Sequence, residues 1–147
     1  MKTDLAKILT VAGTHGLYEY VAQTANGGAI AQSLAEKKRT AFSRTSRIST
    51  LADIAIYTSE GEMRLDAVFT ALKAVLGDKP APSSKAPSTE LEDLFTQAIP
   101  NYDADRFYVS HMKKVVDWYN EIAQYASFDF LTDEEREAQY KAEAGIE

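Results

Sequence analysis

The sequence predicts an α+β protein in which a small five-stranded, SH3-like β-barrel precedes a two-helix module. Apolar residues alternate with a period of two before residue 58, and from residue 65 they follow the helical period of about 3.6. A Pro/Ser-rich stretch then separates two helical segments. The chain has 147 residues, of which 45% are apolar and 26% charged, as in globular proteins. The predicted parts are a barrel-like domain with a C-terminal helix (1–76), a linker (77–88), a helical hairpin (89–126) and an acidic tail (127–147).

Short strands with tight turns dominate the first part. In "GLYEYVAQT", Leu17, Glu19 and Val21 alternate with aromatic and small residues, which is typical of a strand. "ANGG" supplies the residues that tight hairpin turns need, and "AIAQSL" and "KKRTAFSR" continue the meander. The segment "RISTLADIAIYTS" predicts one helical turn begun by Ser49 and a strand at residues 54–58.

The helical segments are amphipathic. The first is predicted at residues 65–76 and ends at Gly77, a frequent C-terminal cap. Beyond the linker, a capping box of Thr89 and Glu92 predicts the start of a second helix, which Pro100 ends. The third, at residues 109–126, leaves its polar side for solvent, namely Lys113, Lys114, Asp117 and Glu121. Trp118 lies at the margin of its apolar face and is expected to be substantially buried.

The segment "NYDADR" between the second and third helices has two interpretations. Asn101, Asp103 and Asp105 are residues that cap helices and form turns, because their side chains bind nearby backbone amides. The alternative is a calcium loop with oxygen ligands at alternate positions. Arg106 and Met112 stand where such a loop needs a glycine and a bidentate glutamate, so the sequence favours a joint between helices.

Catalytic and metal-binding motifs are not found in the sequence. There is no cysteine, and the two histidines, His15 and His111, are far apart without a paired ligand motif. Neither a phosphate-binding loop nor a nucleophile elbow is present. We therefore expect no cofactor, no metal and no catalytic residue. A hydrolase-type enzyme would require a cleft that gathers His15 or His111 with acids.

The net charge of −6 is unevenly distributed. Residues 1–60 carry a net charge of +2, and residues 61–147 carry −8. The most basic run lies on or beside predicted strands with aromatic residues nearby. This possible binding surface comprises Lys37, Lys38, Arg39, Arg44, Arg47, Tyr18 and Tyr20. Such surfaces bind nucleic acids in some small barrels, but lysines also protect edge strands from aggregation, and the acidic second half opposes a polyanion.

The acidic tail combines an apolar anchor with a polar helix. Phe128, Phe130 and Leu131 form the anchor, and Thr132 and Glu135 form a capping box. A solvated terminal helix and a partner-binding arm are both compatible with this composition.

The sequence indicates a cytoplasmic protein. No window approaches the roughly 18 apolar residues of a membrane span, and the N-terminus lacks the features of a secretory signal. The absence of cysteine agrees with a reducing compartment. No membrane partner is expected, and the oligomeric state is not determined by these patterns.

Three segments carry a resemblance to a known family. "GLYEYVAQT", "RISTLADIAIYT" and "IPNYDADRFYVSHMKKVVDWYN" resemble a Bacteroidetes family of conserved proteins of unknown function. The likeness runs from about Leu5 to Ala126. It implies a small β-rich N-terminal region joined to a short helical C-terminal one, and it implies no activity, cofactor or catalytic residue.

The leading functional hypothesis is a non-catalytic binding or adaptor protein that acts through protein contacts. Barrels of this size present loops and edges for binding more often than deep pockets. The alternative is an RNA- or DNA-binding protein that uses the basic β surface.

Overall fold

The computed structural model describes residues 3–14, 16–43 and 45–143, and it has α+β architecture. Within these ranges, four helices follow a β-rich half that also contains two short 3-10 turns, Leu5–Lys7 and Leu51–Asp53. The strands are β1 (Ile8–Val11), β2 (Tyr18–Gln23), β3 (Ala29–Ser33), β4 (Arg39–Phe42), β5 (Ile48–Thr50), β6 (Ala55–Thr58) and β7 (Gly61–Arg64). The helices are α1 (Leu65–Leu76), α2 (Ser88–Ala98), α3 (Val109–Tyr125) and α4 (Asp133–Glu143).

The strands form two antiparallel sheets. The larger has the order β4-β3-β2-β1-β5, and β6 and β7 form a separate hairpin. The predicted α+β class is therefore confirmed. A closed SH3-like barrel is not found, because β4 and β5 are the two edges of the sheet and do not pair with each other among the described residues.

The predicted hairpin at "ANGG" is present between β2 and β3. Gly27 has φ of +83°, a conformation that favours glycine. Gly28 lies so close to β4 that an added Cβ would be 2.2 Å from the carbonyl oxygen of Phe42. A side chain at this position would therefore push β3 and β4 apart.

The two faces of the five-stranded sheet have different surroundings. Residues opposite each other in antiparallel strands lie on the same face. Ile8 belongs to the main core cluster, which it shares with the helices. Leu9 and Val11 are also buried but lie outside that cluster. On their face Tyr18 and Phe42 make an edge contact, with ring centroids 5.2 Å apart, so this side of the sheet has a small apolar cluster of its own.

Helix α1 has the predicted bounds, and Gly77 ends it with φ of +62°. The predicted start of α2 is wrong in detail. Pro87 occupies the N-cap position and no side chain caps the helix, so Thr89 already lies in the first turn. The carbonyl oxygen of Pro87 accepts the amide of Glu90 at 3.0 Å, which begins the helix before the predicted capping box can form.

The segment between α2 and α3 is a structural joint, as the sequence indicates. The Asp103 carboxylate accepts the amide of Asp105 at 3.0 Å. The joint also contacts the end of β6, where the Asp103 amide donates to the carbonyl oxygen of Tyr57 at 2.9 Å. His111 Nδ1 accepts the amide of Tyr108 at 3.1 Å and so caps α3.

Residues 77–87 of the predicted linker contain no helix or strand, and Ser88 already belongs to α2. One residue of this segment is anchored to α3. Ala81 is buried. Its amide donates to the Asn120 side chain at 2.8 Å, and its carbonyl oxygen accepts from the same side chain at 3.1 Å. The core cluster includes Leu72 before this segment and Leu91 after it. The division into separately folding parts stays a prediction.

The C-terminal segment pairs with the N-terminal segment. Thr3 forms a parallel bridge with Phe130, and its amide donates to the carbonyl oxygen of Asp129 at 2.8 Å. Phe128 and Phe130 pack against the core cluster. The predicted capping box of the tail is confirmed: the Thr132 hydroxyl accepts the Glu135 amide at 3.1 Å, and the Glu135 carboxylate accepts the Thr132 amide at 3.2 Å.

Candidate functional site

A cleft of about 840 Å³ lies between helix α3 and the end of the five-stranded sheet at which β1 finishes and β5 starts. One wall is formed by the end of β1, the turn that follows it and the start of β5. The other wall is formed by the polar side of α3. We call it the α3 cleft. The volume of the cleft is far larger than the space that one side chain occupies, and the cleft is open to solvent.

Hydroxyl groups and backbone line the sheet wall. Thr10 of β1 and Ser49 of β5 are directly opposite each other, so both side chains lie on one face of the sheet. The Ala12 amide donates to the carbonyl oxygen of Arg47 at 2.9 Å, which holds the start of β5 beside the turn. Gly13 has φ of +82°, which lets the chain reverse there.

The helix wall carries side chains that recur every three or four residues, so they share one face of α3. They are Lys113, Lys114, Asp117, Trp118 and Glu121. The opposite face of α3 is buried in the core. Lys113, Lys114 and Asp117 are exposed, as the sequence predicts, and they border the open cleft. Glu121 is only partly exposed, because the β1–β2 turn lies over it.

Glu121 ties α3 to the β1–β2 turn. Its carboxylate accepts the backbone amide of Leu17. An added Cβ at Gly16 would be 3.2 Å from the same carboxylate, so the turn fits tightly over it. Burial raises the pKa of Glu121 and the charge of Asp117 raises it further, while the hydrogen bond from Leu17 lowers it.

The charged residues of the cleft follow one another along α3. Glu121 contacts the β1–β2 turn. Four residues further along α3, the centroid of the Tyr125 ring lies 5.9 Å from Nζ of Lys37, which belongs to the β3–β4 turn. In the opposite direction along α3, Lys113 and Lys114 therefore lie toward the β5 side, where Arg47 is found. Along α3 the two lysines are followed one turn later by Asp117, and Glu121 lies one further turn on, so charges of both signs border the cleft.

Trp118 lies between Asp117 and Glu121 on the helix wall of the cleft. It packs against the core cluster with most of its surface buried, as the sequence predicts, but it is not fully buried. The physical reason is its position at the margin of the apolar face, where one edge of the ring contacts the core and the other borders the cleft. It is the only tryptophan of the chain.

The predicted basic surface is divided by the fold. Lys37, Lys38 and Arg39 are exposed in and after the β3–β4 turn. Lys38 lies 4.0 Å from a Glu36 carboxylate oxygen, and Arg39 Nε donates to the Gln32 side chain at 3.4 Å. Arg47 lies in the α3 cleft. Arg44 lies outside the described residues.

The two tyrosines of that predicted surface lie on the other face of the sheet from Arg39. Gln32 is opposite both Glu19 and Arg39, whereas Ala31 is opposite Tyr20. Successive residues of a strand point to opposite faces, so Tyr20 and its neighbour Tyr18 do not share a face with Arg39. Whether these residues bind a ligand stays a prediction.

The histidines are not brought together with acids in the part of the chain that the structure describes. His111 caps α3 and stacks on Phe107, with ring centroids 6.2 Å apart. His15 lies outside the described residues. Across residues 3–14, 16–43 and 45–143, no group of three or more His, Cys, Asp or Glu side chains is placed to hold a metal ion. No helix in these same ranges has the length and apolar character of a membrane span.

The cleft itself was not predicted from the sequence. One signal was available, because the polar stripe on α3 contains a tryptophan among its charges. Its counterpart on β1 and β5 comes from short strands more than 60 residues away, which sequence patterns do not pair.

Two family models match the chain. A domain of unknown function, DUF5606, matches residues 5–51, and another, DUF6852, matches residues 54–122. The solution NMR structure of a Bacteroides vulgatus protein, a Northeast Structural Genomics Consortium target, is 35% identical and has a TM-score of 0.69. The match covers 82% of this chain and 87% of that one. No curated protein matches the chain significantly.

Proposed function

The chain belongs to the conserved family of unknown function that includes this Bacteroides vulgatus protein, and from that premise we propose that it is a non-catalytic binding or adaptor protein acting through protein contacts. The proposal includes a cytoplasmic location, which the sequence features favour. It assigns the α3 cleft as the contact site.

The observation that carries the proposal is the partly exposed Trp118 in a cleft lined by charged and hydroxyl side chains. Tryptophan and arginine are enriched among the residues that dominate protein interfaces, and both are present here as Trp118 and Arg47. A partner side chain that covers the exposed edge of Trp118 would remove apolar area from water while the surrounding charges select the partner.

Site-directed photocrosslinking tests the proposal. Photoreactive benzoylphenylalanine is placed at Thr14, on the rim of the cleft, or at Thr89, an exposed control on α2. Each full-length chain is then irradiated in Bacteroides cells. We expect a defined protein adduct from position 14 that is absent from position 89, and the purified partner should change Trp118 fluorescence. Equal adducts at both positions, or nucleic acid as the adduct at position 14, would contradict the proposal.

Nucleic-acid binding is the second candidate. The exposure of Lys37, Lys38 and Arg39 beside one another at one turn favours it. Phosphate contacts release counterions, so binding by this turn would weaken steeply with salt and would be lost when all three residues are replaced by alanine.

We expect no measurable binding of single-stranded or duplex oligonucleotides by the full-length chain at about 0.15 M salt. Binding that is tight, salt-sensitive and abolished by the triple substitution would favour this candidate over the protein partner. Removal of the acidic tail, residues 127–147, is not a suitable way to unmask such binding, because it would also remove Phe128 and Phe130, which pack against the core.

A further inference from the structure

A second pocket lies beside α3 and shares no residue with the α3 cleft. It is formed by the last turn of α1, residues 77–80, the last two turns of α3 and residues 126–128. We call it the α1–α3 pocket. Its volume is about 460 Å³, which is in the range of pockets that hold small organic molecules.

A buried tyrosine brings an unpaired hydroxyl group to the α1–α3 pocket. Tyr119 lines the pocket although only 1% of the residue is exposed. Across residues 3–14, 16–43 and 45–143, every fully buried side-chain oxygen or nitrogen has a hydrogen-bond partner, whereas the Tyr119 hydroxyl has none there. The hydroxyl is therefore not fully buried, and it is the part of this residue that reaches the pocket.

The surrounding side chains hold this hydroxyl in place and leave it available. The Tyr119 ring stacks on Phe128 with ring centroids 4.6 Å apart, and the Phe69 ring lies 6.2 Å away. The neighbouring Asn120 cannot pair with the hydroxyl, because both ends of its amide are bonded to the backbone of Ala81. Burial raises the pKa of Tyr119, so the hydroxyl keeps its proton at neutral pH and can donate it to an acceptor oxygen of a ligand.

The border of the pocket has a small excess of positive charge. Lys73 and Lys79 are exposed, and in the part of the chain that the structure describes neither has a carboxylate within salt-bridge distance. Lys73 Nζ lies 5.2 Å from the centroid of the Phe128 ring. Asp78 also lines the pocket, so the two lysines and this carboxylate give a net charge of +1. A ligand with a single negative charge balances that sum, whereas a doubly charged phosphate exceeds it.

We propose that the α1–α3 pocket binds a small organic molecule that has one carboxylate group. The carboxylate accepts the Tyr119 hydroxyl and pairs with Lys73 and Lys79, which gives charge-assisted hydrogen bonds. The apolar part of the molecule lies against Ala123 and Ala126. This binding activity is additional to the protein contacts proposed for the α3 cleft and does not depend on them.

NMR titration of the ¹⁵N-labelled full-length chain tests the proposal. The probes are sodium benzoate and sodium hexanoate, and benzamide and hexanamide are the uncharged controls of the same shape. At constant ionic strength, at least one carboxylate should give saturable shifts of the Gly77, Lys79 and Gln124 amides, with a Kd below about 10 mM. Its amide should bind at least about fivefold more weakly, and the Gly13 amide in the α3 cleft should not shift.

Conservative variants identify the pocket as the site. Tyr119→Phe keeps the packed ring and removes a hydroxyl that has no partner among the described residues, so the fold should persist while binding weakens at least about fivefold. Tyr125→Phe makes the same change at an exposed position of α3 outside the pocket and should leave binding within about twofold.

A pair of lysine variants tests the same contact without any change in the core. Lys73→Gln with Lys79→Gln should weaken binding of the carboxylate at least about fivefold. Lys85→Gln with Lys141→Gln removes the same charge at exposed positions outside the pocket and should have less than about a twofold effect.

Four results would overturn the inference. They are the absence of saturable shifts with either carboxylate up to about 50 mM, equal affinity for a carboxylate and its amide, tighter binding of phenyl phosphate than of both carboxylates, and equal effects of the pocket variants and their controls. Each of these leaves the proposed protein contacts untouched, because the crosslinking position Thr14 belongs to the other site.

Discussion

Two neighbouring aromatic residues of α3 have different surroundings, and this difference has measurable consequences. Tyr119 is 1% exposed and lies among the core residues, whereas Trp118 borders the cleft. Removing a large buried aromatic ring leaves a cavity, but removing a partly exposed ring leaves space that water fills. The larger residue is therefore expected to contribute less to stability.

Alanine substitutions test that expectation. Tyr119→Ala should lower the free energy of unfolding by about 3 to 5 kcal/mol, and Trp118→Ala by about 1 to 2 kcal/mol. Urea denaturation followed by circular dichroism measures both. A greater loss for Trp118→Ala than for Tyr119→Ala would mean that the tryptophan is a core residue and not a wall of the cleft.

The carboxyl group of Glu121 makes stability depend on pH. Burial, the larger cause, and Asp117 raise its pKa in the folded state above the unfolded value, despite the hydrogen bond from Leu17. Between the two pKa values the folded state holds a proton that the unfolded state has lost. The contribution of Glu121 to stability therefore falls as pH rises from the unfolded pKa, about 4.3, through the folded pKa.

Glu121→Gln keeps an oxygen that accepts the Leu17 amide but removes the titration. We expect the variant to gain stability relative to the wild type as pH is raised from about 4 to 7, with a constant difference above that range. Urea unfolding at a series of pH values measures it. Asp117→Asn is the control that removes only the neighbouring charge and should give a smaller pH-dependent difference. A difference that is independent of pH would contradict the role assigned to Glu121.

At the scale of elements, helix α4 is held by a nearly buried ion pair. Arg136 Nε lies 2.7 Å from the Asp4 carboxylate, and the two side chains are 14% and 11% exposed. The same carboxylate accepts the Ala6 amide at 3.0 Å and caps the first 3-10 turn. Loss of the arginine would leave this carboxylate partly buried without its cation, which is costly.

Two alanine substitutions on α4 compare this pair with an exposed one. Arg136→Ala should lower the free energy of unfolding by about 2 kcal/mol or more. Lys141→Ala removes an exposed contact with Glu137, 3.3 Å long, and should cost less than about 0.5 kcal/mol. Thermal and urea unfolding measure both. Equal effects would show that α4 does not contribute to the fold through Asp4.

The elements that the sequence predicted well are those with strong local signals. Helix α1 has a regular apolar period and a glycine at its end, and β2 and β3 flank a turn of the expected composition. Strands β1, β5 and β7 were not predicted. Each has three or four residues, too few for a clear alternation, and each exists because of a partner strand.

At the scale of the whole molecule, residues 77–88 offer a test of how the two halves are joined. Lys85 is exposed in this segment, while Lys79 precedes Pro80, a bond that trypsin does not cleave. We expect the first tryptic cut after Lys85. Since core residues on both sides of the segment belong to one cluster, the two fragments should stay together under native conditions.

Mass spectrometry and size-exclusion chromatography distinguish the outcomes. Fragments that separate without denaturant would indicate two independent modules. First cuts inside residues 17–58 would instead show that the β-rich half opens before the predicted linker does.

The candidate site depends on the whole molecule, and for that reason the sequence did not predict it. The basic run is evident in the sequence, but the strand register places Arg39 and Tyr20 on opposite faces of the sheet. The cleft forms only where the end of β1 meets α3, through Glu121 and Leu17. Leu17 and Glu121 are 104 residues apart in the sequence. Amino-acid composition and local periodicity contain no information about a contact between residues so far apart.

The bridge between Thr3 and Phe130 has a consequence for the order of events on the ribosome. The hydrogen bond between Leu17 and Glu121 spans 104 residues, and the bridge spans still more of the chain. At roughly 5 to 20 residues per second, synthesis takes about 6 to 25 s to proceed from Thr3 to Phe130. During that interval the β meander has its own hairpins but lacks the partners that cover its ends. The nascent protein therefore has to avoid misassembly for many seconds after its first strands have been made, until the segment that contains Phe130 has been synthesised.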